Sequence, residues 1–168
     1  MNPIQAWLEA LKSPIPLKLC DPDEPRSQAP AKSLSVAIEQ SPLGIDAYAE
    51  ALLYMRIGCM EPSHGNVQNA KRGLGAYIHG VLHRMEGDYW NAKYWFDRVE
   101  DHKLLKSISE HVGQSAKAYG KPLLAWNGPS DFVDACKAQR SESNEPLVLM
   151  AHWEWQALWW IAYEKNPR

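Results

Sequence analysis

Two histidines stand four residues apart in this 168-residue chain, His79 and His83. At i and i+4 on a helix they lie one above the other on one face. A His-x-x-x-His pair can hold a metal ion, and Glu86, seven residues beyond His79, falls on the same side as a third ligand. His64 and His152 are the alternative third ligands, and Glu154 offers a further carboxylate from near the C-terminus. The ion would be a divalent transition metal. The same residues equally allow no metal. The two imidazoles would then be core groups bonded to indole N–H groups, tyrosine hydroxyls or carboxylates, since buried polar groups are paired.

A second set of residues suits a metal-free site. Arg84, Asn91, Tyr94 and Arg98 cluster in sequence around one expected turn, and Asn91, Tyr94 and Arg98 share a helical face at i, i+3 and i+7. A guanidinium fork beside an amide and a phenol grips a carboxylate or phosphate. With His79, His83, Glu86 and Glu154 these residues make up the candidate ligand-binding set. The plainer alternative is a solvated face, with Arg98 paired to Asp97, Asp101 or Glu86 at the surface and contributing little.

Helices must position these groups. Ala, Leu, Glu and Lys are frequent, Val and Ile are sparse, and no segment alternates as a strand would. The expected fold class is therefore all-α, an irregular multi-helix bundle in one domain over residues 1–168. Residues Pro3–Leu11 and 32–40 read as short helices. Residues 13–30 hold five prolines and read as an extended arm, because proline fixes φ and lacks an amide hydrogen. A helix is expected from Ile45 to Ile57, started near Asp46 and stopped by Gly58. Glu61–Gly65 reads as a turn. Helix resumes near Asn66 and runs to Glu86, where Gly87-Asp88 breaks it. Further helices are expected over Tyr89–Val99, Lys103–Tyr119, a short one capped by Ser130 and ending near Ala138, and Pro146–Glu164. Residues 139–145 read as a polar connection.

Residues 76–99 resemble one tetratricopeptide (TPR) helical hairpin. Gly80, Ala92 and Phe96 match the small and aromatic positions of that motif, and Gly87-Asp88-Tyr89 falls where its turn belongs. Ala76, His79, His83 and Leu104 replace the motif's Trp, Leu, Tyr and Pro. No second copy flanks it, although a repeat array needs about three units to bury its faces. The resemblance therefore implies a single TPR-like hairpin within another helical domain. The stretch from His83 to Arg98, with Glu154-Trp155, is also similar to a family of uncharacterised small helical proteins, which implies a fold and no activity.

Composition narrows the function. Lys and Arg number 18 against 20 Asp and Glu, a formal charge of −2. Nucleic-acid binding through a basic surface is not expected. Three cysteines, Cys20, Cys59 and Cys136, form neither a disulfide framework nor a zinc knuckle, and the expected location is the cytoplasm. The N-terminus does not read as a secretory signal. The long apolar stretch Leu147–Tyr163 contains His152, Glu154 and Gln156, so no membrane partner is expected. Eight tryptophans against two phenylalanines make an indole-rich core with polar handles. In the last helix Trp155 and Trp159 stack at i, i+4. That helix is either central to the monomer or a homodimer seam, and a buried Glu154 needs a histidine or arginine of the hairpin as partner. There is no phosphate-binding loop, nucleophile elbow, EF-hand or His-Glu-x-x-His. Two functions follow as expectations. One is a helical binding module with a polar, aromatic-lined pocket for a small polar ligand or a protein. The other is a metal-dependent enzyme of hydrolase or oxygenase type built on His79 and His83.

Overall fold

The computed structural model describes residues 29–40, 44–120, 125–138 and 145–164, and among these there are eight α-helices and no strand. The expected helix at Pro3–Leu11 lies outside the described residues. So does the Pro-rich arm, apart from Ala29 and Pro30, which open helix α1 (Ala29–Glu39) instead. Proline is tolerated in a first turn, where its missing N–H would have no intrahelical partner.

Helix α2 (Ala47–Arg56) starts where Asp46 accepts hydrogen bonds from the N–H groups of Tyr48 and Ala49, each at 3.0 Å. Helix α3 (Met60–Val67) corrects the turn expected at Glu61–Gly65. Pro62 sits in its first turn. Met60 and Val67 are buried, and the buried Ser63 hydroxyl donates to the carbonyl of Ala51 in α2 at 2.7 Å. These contacts across the fold outweigh the local preference of Pro and Gly for a turn.

The helix expected from Asn66 to Glu86 is interrupted. Gly73 takes a left-handed φ of +62° and its N–H donates to the carbonyl of Val99 at 3.0 Å. Helix α4 (Gly73–Met85) begins there, and every residue from Gly75 to Met85 is buried. It is a central helix.

Gly87 then turns the chain, and Asp88 caps helix α5 (Tyr89–Asp97). The α4–α5 hairpin closes tightly at Gly80. A Cβ placed there would lie 2.8 Å from the Phe96 ring and 3.1 Å from the carbonyl oxygen of Ala92. Only glycine lets the two helices approach this closely.

Helix α6 (His102–Tyr119) starts at Asp101, which accepts from Lys103 and Leu104 N–H at 3.0 Å, and buries Leu104, Ile108 and Val112. It ends at Gly120 with φ +73°. Helix α7 (Pro129–Ala138) opens on Pro129, so Ser130 lies inside the helix and does not cap it. Helix α8 (Glu145–Trp159) continues into a π-helical turn over Trp160–Glu164. Trp153, Trp155 and Trp159 are buried within the chain, and Trp160 is exposed. The Trp155 and Trp159 rings stack with centroids 5.6 Å apart. One apolar core cluster draws residues from all eight helices. No described helix is long and apolar enough to cross a membrane.

Candidate metal centre

Helices α3 and α4 bring three imidazoles together. His64 ends up in the last turn of α3, and His79 and His83 occupy successive turns of α4. One ring nitrogen from each lies within 4.8 Å of the others, and among the described residues this is the one group of three side chains able to hold a metal ion. Nε2 of His79 is 2.7 Å from Nε2 of His64. The His79 and His83 rings stack at 4.9 Å, and His64 meets both edge-on.

Trp95 of α5 forms the wall of the site. Its ring stacks on His79 with centroids 3.9 Å apart and planes 20° apart, fixing the imidazole plane. Trp95 was not among the named site residues expected from the sequence, although tryptophans in general were expected to line a pocket. Its only signal was its place one position before Phe96, in the helix expected to face His79.

The electrostatics favour a neutral His79 ring. Burial, with the neighbouring His64 and His83 imidazoles, pushes His79 down to about 4. A neutral imidazole is the form that binds a metal. Nδ1 of His79 is buried with no hydrogen-bond partner among the described groups. The hydrogen bond of His79 thus runs within the cluster, to His64, and not to a core hydroxyl or indole N–H.

The other expected ligands are distributed differently. Glu86 stands at the rim, its Oε2 3.3 Å from His83 Nδ1, and does not belong to the group of three. Asn91 faces the same imidazole at 3.2 Å. His152 is not part of the cluster. It is buried beside Arg56, and burial followed by that positive charge pushes it down to about 4.

Arg84 and Glu154 are also withdrawn from any accessible pocket. Both side chains are buried and form a bidentate ion pair between α4 and α8, with Arg84 Nη1 3.1 Å from Oε1 and Nη2 on Oε2. The Tyr77 hydroxyl donates to Oε1 at 2.9 Å. The guanidinium carbon lies 4.5 Å from the Phe132 ring centroid. Burial alone would lower the pKa of Arg84, but Glu154 more than offsets it and the net shift is upward.

Tyr94 and Arg98 pair with each other on the outer face of α5, with Arg98 Nη2 2.6 Å from the Tyr94 hydroxyl. The anion grip expected from Arg84, Asn91, Tyr94 and Arg98 is therefore not assembled. Arg84 is spent on Glu154, and Asn91 is turned to His83.

The two depressed histidines make the metal-free fold acid-sensitive. Unfolded histidine titrates near 6.5, whereas His79 and His152 titrate near 4 in the fold. Between those values the unfolded chain binds more protons. Stability is therefore full above pH 6.5 and is lost as pH falls toward 4. Linkage gives about 2 kcal/mol per histidine between pH 7 and pH 5. Urea unfolding of metal-free protein at the two pH values should show the midpoint falling at pH 5, by about half as much in His152→Leu. Equal midpoints would contradict the assignment.

Comparison of the chain with protein-family models, with curated proteins and with solved structures finds no match.

Proposed function

We propose that the protein binds a divalent transition metal ion through His64, His79 and His83, and that it acts at this centre. The observation that carries the reading is the convergence of three ring nitrogens from two helices within 4.8 Å, beside a stacked indole. Two nitrogens aimed at each other 2.7 Å apart share one proton. Ligand nitrogens about 2.0–2.1 Å from a tetrahedral zinc stand roughly 3.3 Å apart. An ion replacing that proton needs the pair to open by only about 0.6 Å.

The donor set speaks to the metal. Three neutral nitrogens suit zinc, nickel, copper or cobalt, and the lack of a carboxylate disfavours magnesium and calcium. It also departs from the two-histidine, one-carboxylate arrangement of iron oxygenases, which favours hydrolytic over oxygenase chemistry. Three protein ligands leave a fourth position open, where the metal would act as a Lewis acid. The Gly80–Ala92–Phe96 seam supports reading the hairpin as TPR-like, here serving as the scaffold for two of the three ligands.

The test is elemental analysis of untagged protein after dialysis with one equivalent of zinc. The wild type should retain about one zinc per chain, and His79→Ala and His64→Ala should retain far less while keeping their helical circular dichroism. A folded wild-type protein that retains no zinc, nickel, copper or cobalt would overturn the reading.

A protein-binding role is the second reading, and it rests on α5. Trp90 is 77% exposed and stacks on Tyr94, and Arg98 lies over the other end of Tyr94. With Arg98 4.1 Å from the Tyr94 ring centroid, these residues form an aromatic and cationic patch of the kind enriched at interfaces.

A further inference from the structure

The rim of the histidine cluster contains a carboxylate and an amide that the proposed metal site does not use as ligands. Glu86 follows the last turn of α4, three residues after His83, and its Oε2 lies 3.3 Å from His83 Nδ1. Asn91, in the first turns of α5, places its side-chain nitrogen 3.2 Å from His83 Nε2 and 3.5 Å from Nδ1. The chemistry of the carboxylate constrains the ring. An ionised carboxylate only accepts, so its place 3.3 Å from Nδ1 favours the proton on that nitrogen. The amide nitrogen of Asn91, almost equally far from both ring nitrogens, lies off either in-plane lone pair and leaves the tautomer to the carboxylate. The carboxylate contact points to the Nδ1–H tautomer.

We propose that Glu86 is the positioning residue of the centre. It holds His83 as the Nδ1–H tautomer, so that Nε2 presents its lone pair to the ion. The inference rests on the metal-binding reading and assigns an outer partner to one of its three ligands. Partners that fix a ligating histidine in this way sharpen its orientation and raise its basicity, and their loss costs about 10–100-fold in metal affinity.

Glu86 is well suited to the test because its side chain is 38% exposed, so replacing it opens no cavity. The variants are Glu86→Leu, which removes charge and acceptor, and Glu86→Gln, which keeps an acceptor oxygen. The first measurement needs no metal. Long-range proton–nitrogen NMR of the imidazoles in apo protein reads which nitrogen of each ring is protonated. Wild type and Glu86→Gln should show His83 as Nδ1–H, and Glu86→Leu should lose that preference. The second measurement is competitive titration with zinc. Affinity should fall about tenfold or more in Glu86→Leu and only a few-fold in Glu86→Gln.

A wild-type His83 protonated on Nε2 would overturn the proposal, as would a Glu86→Leu protein that binds zinc as tightly as wild type. An Nδ1–H tautomer in a wild-type protein that binds no zinc would instead overturn the metal reading, leaving Glu86 as a hydrogen-bond partner only.

Discussion

Replacing Glu154 by alanine should destabilise the fold by about 3–5 kcal/mol, because it leaves the Arg84 guanidinium buried without its counter-charge. Arg84 has no route to water. Its side chain is 1% exposed, its Nε already lacks a partner, and its flat face is covered by Phe132. The variant also strands the Tyr77 hydroxyl, which is fully buried. In the wild type, burial first and then the Glu154 charge hold that phenol well above its ordinary range, as the donor to the carboxylate that the variant removes. Urea unfolding followed by circular dichroism measures the effect. The double variant Arg84→Met/Glu154→Leu should recover most of the loss, since an apolar replacement of a buried pair is often neutral or better. A loss below about 1 kcal/mol in Glu154→Ala would mean that the charge finds water or another partner, contrary to its burial.

The second large effect is metal-linked stability. A ligand that binds only the folded state stabilises it by RT ln(1 + [L]/Kd), or about 4 kcal/mol at a thousandfold excess over Kd. For a chain of this length that corresponds to a rise in melting temperature of roughly 10 °C. Thermal unfolding with zinc, against the same protein in chelator, should show this rise, and magnesium should show none. In His83→Ala the zinc-dependent part should vanish. The ion would cross-link α3 to α4, and α3 is the weaker partner. Its eight residues include Pro62, Ser63 and Gly65, and Cys59 supplies no side-chain cap. The stabilisation should therefore be concentrated where the local sequence supports helix least. Identical melting curves with and without zinc would contradict both the ligand set and this linkage.

The parts of this architecture legible in the sequence are those with local causes. Asp46, Asp88 and Asp101 cap helices through their own side chains, and Gly87 and Gly120 turn the chain with positive φ. Such signals act within a few residues, so a linear reading finds them. The pairing of His79 with His83 is equally local, because it needs only the helical repeat. The third imidazole was one of several alternatives for a physical reason. His64 reaches the others only if Met60–Val67 is a helix, and Pro62 and Gly65 read locally as a turn. The helix is set by the Ser63–Ala51 hydrogen bond and by burial of Met60 and Val67, which are contacts made across the fold. Trp95 was missed for a similar reason, since its contact with His79 depends on how α5 is rotated against α4. Glu154 shows the intermediate case. Its need for a cationic partner follows from its place in an apolar helix, whereas the choice of Arg84 over a neighbouring histidine follows from packing alone.

His83 and Arg84 are adjacent in α4, yet one faces the imidazole cluster and the other faces Glu154. Successive residues on a helix are separated by about 100° of rotation. The azimuth of α4 is thereby fixed by two polar keys at once. A slip of one residue would swing the guanidinium away from its carboxylate and an imidazole away from its neighbours, putting unsatisfied polar groups against an apolar wall. The Gly80 seam sets the face of α4 that meets α5, and the polar keys act with it on a helix that is buried on every side. Seam and polar keys agree on one phase, so α4 has a single register in which the bundle can close.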